Sequence, residues 1–104
     1  MFSLSNSFLT VGIAAKGAEL QSVKNSAGLE FMWQADEAVW PRHAPVLFPI
    51  VGKLKNNTYR FENTSFELPQ HGFARDLDFE LVKQSETELV FVLNSTAQTQ
   101  SQYP

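Results

Sequence analysis

Thr58-Tyr59-Arg60-Phe61-Glu62-Asn63-Thr64-Ser65-Phe66-Glu67-Leu68 runs directly into Pro69-Gln70-His71-Gly72-Phe73-Ala74-Arg75. The first part reads as a hairpin, Thr58–Phe61 against Ser65–Leu68 around the polar turn Glu62-Asn63-Thr64. The second part is a loop bearing His, Gly and Arg. Towards the C-terminus the same pattern returns: Asp78–Val82 and Glu88–Leu93 flank the polar stretch Lys83–Thr87 and predict a second hairpin. Towards the N-terminus, Phe8–Ile13 alternates in part, Glu19–Val23 follows the break at Gly17, and Leu29–Trp33 is a third short apolar run after the turn signal Asn25-Ser26-Ala27-Gly28. No window keeps an apolar stripe at helical spacing for three turns. The best helix candidate, Ala35–Trp40, is short enough to be a single turn. Short strands joined by polar turns predict an all-β, antiparallel sandwich or barrel rather than a βαβ fold. No repeat at a solenoid period interrupts that pattern.

A chain of 104 residues can bury one modest core, so one domain or part of one is expected. Hydrophobic residues make up 43% and charged residues 18%, a globular balance that argues against disorder. Nine Phe against two Tyr suggest rings used as core filler rather than as a recognition surface. Eight Lys plus Arg against eleven Asp plus Glu leave a formal charge of −3, with the basic residues scattered. A nucleic-acid partner would need a basic stripe to displace counterions, so none is expected. With no cysteine, disulfides and thiolate zinc sites are excluded. Met1–Ser7 lacks the pattern of a secretory leader, and the longest apolar stretch, Pro45–Val51, is too short to span a bilayer. The expectation is a soluble cytoplasmic protein with no membrane partner. Asn94–Pro104 is polar, uncharged and without a closing apolar strand. It reads either as a frayed tail or as the place where a larger domain has been cut short, and the second reading is preferred because a last hairpin would otherwise sit at an open edge.

Three segments carry chemistry. Trp40-Pro41-Arg42-His43-Ala44-Pro45-Val46-Leu47-Phe48-Pro49-Ile50-Val51-Gly52-Lys53-Leu54 is apolar with three prolines, each of which removes a ladder donor, so irregular extended backbone is predicted there. Asn56-Asn57-Thr58-Tyr59 turns into the first hairpin, and Pro69–Arg75 leaves it. In this order, and with Gly17-Ala18-Glu19-Leu20 upstream, the segments resemble the aldose 1-epimerase family in its galactose-mutarotase-like bacterial branch. The resemblance runs from about Phe8 to Leu93. It implies the N-terminal part of a β-supersandwich of roughly 250–300 residues, so that residues 1–104 would be a partial sugar-binding domain. Members of that family interconvert the α and β anomers of aldoses. A base takes the anomeric hydroxyl proton, an acid protonates the ring oxygen, and the opened ring recloses on its other face. Each transfer is general acid–base catalysis worth on the order of 10²–10⁴-fold, and the resemblance implies neither a metal nor an organic cofactor.

Carried over by position, His71 matches the first of two active-site histidines, which hydrogen-bonds the sugar near its ring oxygen. On its own it reads as a loop histidine satisfying a backbone carbonyl. Arg75 matches an arginine near the substrate in relatives that act on phosphorylated hexoses, and reads equally well as a surface partner of Asp76 or Asp78. Gln70 can aim an amide at a sugar hydroxyl or stitch loop backbone. Lys53 stands where the family commonly has arginine, and offers a point charge in place of a planar fork. Arg42 is a candidate for the pocket lining, His43 reads as structural, and Trp33 and Trp40 read as sugar platforms or as core. The second histidine and the glutamate base of the family would lie beyond position 104. The resemblance therefore implies a mutarotase of which this chain holds an incomplete part, acting on a hexose or hexose phosphate. The alternative is a non-catalytic carbohydrate-binding or self-associating β-module, with homo-oligomers formed through unpaired strand edges.

Overall fold

A computed structural model describes residues 1–104. The chain opens with a strand that its sequence barely advertises. β1 (Phe2–Ser5) pairs antiparallel with β2 (Leu9–Ala14), which pairs in turn with β3 (Glu19–Asn25). Four residues are too few for a periodic signal, and the ring that Phe2 packs on edge-to-face, Phe91 at 5.7 Å, lies far along the chain. The predicted first hairpin is β4 (Thr58–Phe61) against β5 (Thr64–Glu67), one residue earlier than expected on its second strand. The turn is therefore two residues, Glu62 and Asn63, both left-handed at φ 49° and 63°. Such a turn matches the twist of the flanking strands. The second hairpin is β6 (Glu80–Gln84) against β7 (Leu89–Val92), with a register shift between Leu81 and Lys83.

One strand expectation needs correction, and one of the two readings of the chain's end is excluded. Leu29–Trp33 is not a strand: only Glu30 bridges, to Lys24. Two backbone bonds tie the segment to β3, from the Asn25 amide to the Leu29 carbonyl (3.2 Å) and from the Phe31 amide to the Val23 carbonyl (2.9 Å). The Glu30 carboxylate adds to them by accepting from Ser22 Oγ and from the Val23 (2.8 Å), Phe31 (3.1 Å) and Met32 (3.3 Å) amides. The Ser22 hydrogen bond, followed by those amides and opposed by some desolvation, holds the carboxyl below its usual value of 4.5. The polar end of the chain is not frayed either. Ala97–Gln102 forms a helix, α1, under two turns long and closed by a capping box in which Thr96 and Thr99 each accept the other's amide. Tyr59 anchors it, donating its hydroxyl to the Gln102 carbonyl at 2.7 Å. Partial desolvation and the neighbouring Tyr103 raise the Tyr59 phenol above its usual value. Residues 36–40 make the expected single turn, with the Asp36 carbonyl accepting from Val39 and Trp40.

The three antiparallel sheets form a slab of 55 × 34 × 15 Å, with a radius of gyration of 16.6 Å. Its accessible surface is 7143 Å², against about 5,900 Å² for a compact chain of this mass. The buried apolar residues are Leu68, Phe73 and Ala74, all at the loop that follows β5. Phe73 is the one Phe of nine that is buried, and Phe8, Phe31, Phe48 and Phe61 are exposed, so the rings do not fill a core within this chain. No helix is long and apolar enough to cross a membrane.

Candidate functional site

The loop after β5 is built on its backbone. The Phe48 carbonyl accepts from both Phe73 (2.9 Å) and Ala74 (3.2 Å), and Phe48 bridges to Gly72 in parallel sense. The proline-rich segment and the His loop are thus laced main chain to main chain. The two backbones pass so closely that a Cβ at Gly72 would collide with the Phe48 carbonyl, and its φ of +74° disfavours other residues as well. A second close pass lies on the far side of the loop. A Cβ at Gly17 would meet the Arg75 carbonyl oxygen at 2.8 Å, and the Gly17 amide bonds to the Leu77 carbonyl at 2.7 Å. The Gly17–Leu20 element and the Pro69–Arg75 loop, distant in sequence, are therefore adjacent.

His71 sits at the centre of this lacing, in left-handed backbone at φ 64°. Its amide donates to the Gly52 carbonyl at 2.8 Å, and its Nδ1 accepts from the Gly52 amide at 2.8 Å. The side chain satisfies a backbone donor, where a carbonyl was the expected partner. An Nδ1 that accepts carries no proton, so the neutral ring must carry its proton on Nε2. The half-buried ring lines a cavity of about 480 Å³ together with Trp40, Pro45, Leu47, Gln70 and Arg75. That volume lies within the usual ~300–1,000 Å³ of small-molecule sites.

Arg75 donates through Nη2 to the Gln70 carbonyl at 3.1 Å, which fixes the two ends of the loop against each other. Its Nε is buried without a hydrogen-bond partner, 3.9 Å from Asp76. Arg75 also lines a second, mainly polar cavity of about 290 Å³ with Lys16, Glu19, Gln21, Pro41, Arg42 and Asp76. Arg42 belongs to that second cavity and not to the His71 cavity, and it pairs with Asp76 at 2.9 Å. His43 lies 3.4 Å from Glu19. Lys53 is exposed and does not line the His71 cavity. The structure thus gathers His71, Gln70 and Arg75 around one space, sets Arg42 beside it, and leaves Lys53 outside. Of the apolar wall, the sequence leaves Trp40 open between platform and core, and Pro45 and Leu47 are what residue-by-residue reading did not single out, because apolar residues in a β-protein default to core.

The aldose 1-epimerase family model matches residues 1–104. The chain belongs to the aldose 1-epimerase family. Among solved structures, it is similar to a galactose mutarotase related enzyme from Lactobacillus acidophilus, with a TM-score of 0.96 and 45% identity over 99% of this chain and 35% of that one. It is equally similar to a galactose mutarotase-like protein from Lactobacillus casei, with a TM-score of 0.96 and 41% identity over 100% of this chain and 36% of that one. Among curated proteins, the chromosomal protein LacX of Lactococcus lactis subsp. lactis is 37% identical over 96% of this chain and 35% of its own length. The chain thus spans about a third of the relatives it matches. Its antiparallel sheets are part of the galactose-mutarotase-like fold.

Proposed function

We propose that residues 1–104 are part of a single sugar-binding β-sandwich domain and supply one wall of the hexose site of an aldose 1-epimerase, an isomerase of carbohydrate metabolism. The observation that carries this reading is the state of His71. With Nδ1 taken by the Gly52 amide, the ring offers Nε2–H as its only donor, at a cavity of hexose-compatible size. A fixed donor of this kind suits a pyranose ring oxygen, where it would favour charge developing as the ring opens. Gln70 and Arg75 are the polar groups that would orient hydroxyls. The Arg75 guanidinium, shared with the polar cavity beside it, leaves room for either a hexose or a hexose phosphate. The base that takes the anomeric proton and the acid that protonates the ring oxygen have no counterpart assigned in this chain. A cytoplasmic location completes the reading; it rests on a chain without cysteines, and cell fractionation would test it.

Titration of D-galactose, D-glucose and their 6-phosphates by calorimetry tests the site. His71→Ala is expected to abolish binding while leaving the strands intact, at a stability cost of about 1 kcal/mol for the orphaned Gly52 amide. Polarimetry of fresh α-galactose with this chain should show only the spontaneous rate. Binding that survives His71→Ala would remove the histidine from the site, and accelerated mutarotation would mean that 1–104 holds its own acid–base pair. One observation favours a second reading, a self-associating β-module: fourteen large apolar side chains are exposed, while Leu68, Phe73 and Ala74 are the buried apolar residues.

A further inference from the structure

The His71 cavity has two unlike sides. Polar groups come from His71, Gln70 and Arg75, and apolar surface comes from Trp40, Pro45 and Leu47. Trp40 is the large member of the apolar side, and its backbone is held from both directions. Its amide donates to the Asp36 carbonyl at 2.8 Å, and its carbonyl accepts from Trp33 Nε1 at 2.9 Å. Pro41 then fixes the exit of the chain. Trp40 is 46% exposed as a residue, and its indole takes part in none of the ring pairs of the molecule, although Phe48, Tyr59 and Tyr103 all do. A positioned backbone carrying an unstacked indole, set against three hydrogen-bonding side chains, matches the chemistry of a pyranose. Such a ring has hydroxyls around its edge and a face of bare C–H bonds.

We propose that Trp40 is the stacking platform of the site, taking the C–H face of an aldohexopyranose on its indole while His71, Gln70 and Arg75 address the polar edge. This rests on the hexose reading of the cavity and adds the residue that sets which sugar face is presented to His71. The pairing of a rigid aromatic with fixed donors also discriminates: an epimer that puts a hydroxyl on the stacked face would leave that group unpaired against the ring.

Ligand-detected saturation-transfer NMR and tryptophan fluorescence on the 104-residue chain, with D-galactose and D-glucose as probes, test the proposal. In the unmodified chain, saturation is expected to be strongest at the C–H protons of one sugar face, and emission to change on titration. Trp40→Ala should weaken binding about tenfold, the usual scale for truncating an aromatic anchor. Trp40→Phe keeps a ring, so it should retain most of the affinity while the remaining Trp33 emission stops responding. If Trp40→Ala binds within twofold of the unmodified chain while His71→Ala does not bind, the platform is refuted and the cavity reading stands. If Trp40→Ala changes only the state of association, the ring belongs to a protein contact and the platform is again refuted. If the unmodified chain binds neither sugar, the cavity reading falls and the platform falls with it.

Discussion

At the scale of single residues, the candidate site depends on main-chain geometry more than on side-chain packing. Gly72 has no substitute where the Phe48 carbonyl passes, and Gly17 has none where the Arg75 backbone passes. His71 owes its tautomer to one amide. The ordered motif made His71, Gln70 and Arg75 legible because the loop is short and rigid enough for sequence neighbours to remain spatial neighbours. Lys53 shows where that logic stops. It follows Gly52, whose φ is +89°, and sequence order does not fix which side of a left-handed residue the next side chain takes. Trp40 shows the opposite failure, since an aromatic carries the same sequence signal in a core as at a cavity wall. Glu30 provides a pH test at this scale. Its carboxyl is held below 4.5 in the folded chain, chiefly by Ser22, so the ionised form is the stabilising one. Its contribution is therefore complete above pH 4.5 and declines as the pH falls through the lower folded value. The Val23 and Met32 amide resonances should lose their hydrogen-bonded shifts over that window, whereas the Phe31 amide keeps its bond to the Val23 carbonyl. Glu30→Gln should produce the same loosening of residues 29–33 at neutral pH, whereas resonances that stay fixed down to pH 2 would show the segment to be held by other means.

At the scale of elements, both hairpins were legible because each is local, a few residues of alternation on either side of a polar turn. β1 and α1 were not. β1 is too short for periodicity and depends on β2 and on Phe91, while α1 has no apolar stripe and forms because Thr96 and Thr99 cap each other and Tyr59 holds its end. Leu29–Trp33 has strand-like composition and meets the outer edge of β3, but it pairs there at Glu30 alone, and the Glu30 carboxylate takes up amides that a longer ladder would use. The turn of the first hairpin carries a correctable strain. Glu62 occupies left-handed backbone, which Asn tolerates far better. Glu62→Asn is expected to strengthen the β4–β5 hairpin by about 1 kcal/mol, equivalent to roughly fivefold slower amide exchange at Tyr59 and Phe66. Unchanged or faster exchange would mean that Glu62 gains something from its side chain that the turn geometry does not reveal.

At the scale of the whole molecule, the slab exposes about 1,200 Å² more than a compact chain of its mass, whereas a stable contact needs about 800 Å² per partner. With open strand edges beside that apolar surface, the 104-residue chain alone should self-associate, and light scattering should give a mass that rises with concentration to a dimer or beyond. A monomer at every concentration would mean that the exposed rings are tolerated in water. The 15 Å thickness also bears on how the chain comes apart. No backbone hydrogen bond joins β1–β3 or the β6–β7 hairpin to the β4–β5 hairpin or to α1. A thick domain melts all at once because each layer is the other's interior. Here the backbone bonds between the two parts run through residues 68–79, which bond to Asn57 on one side and to Ala15 and Gly17 on the other, so the loss of one part withdraws less from what remains. Unfolding should therefore lose its all-or-none character. Tryptophan emission, reporting Trp33 and Trp40, should pass through its midpoint at a different denaturant concentration from tyrosine absorbance, reporting Tyr59 and Tyr103 beneath α1.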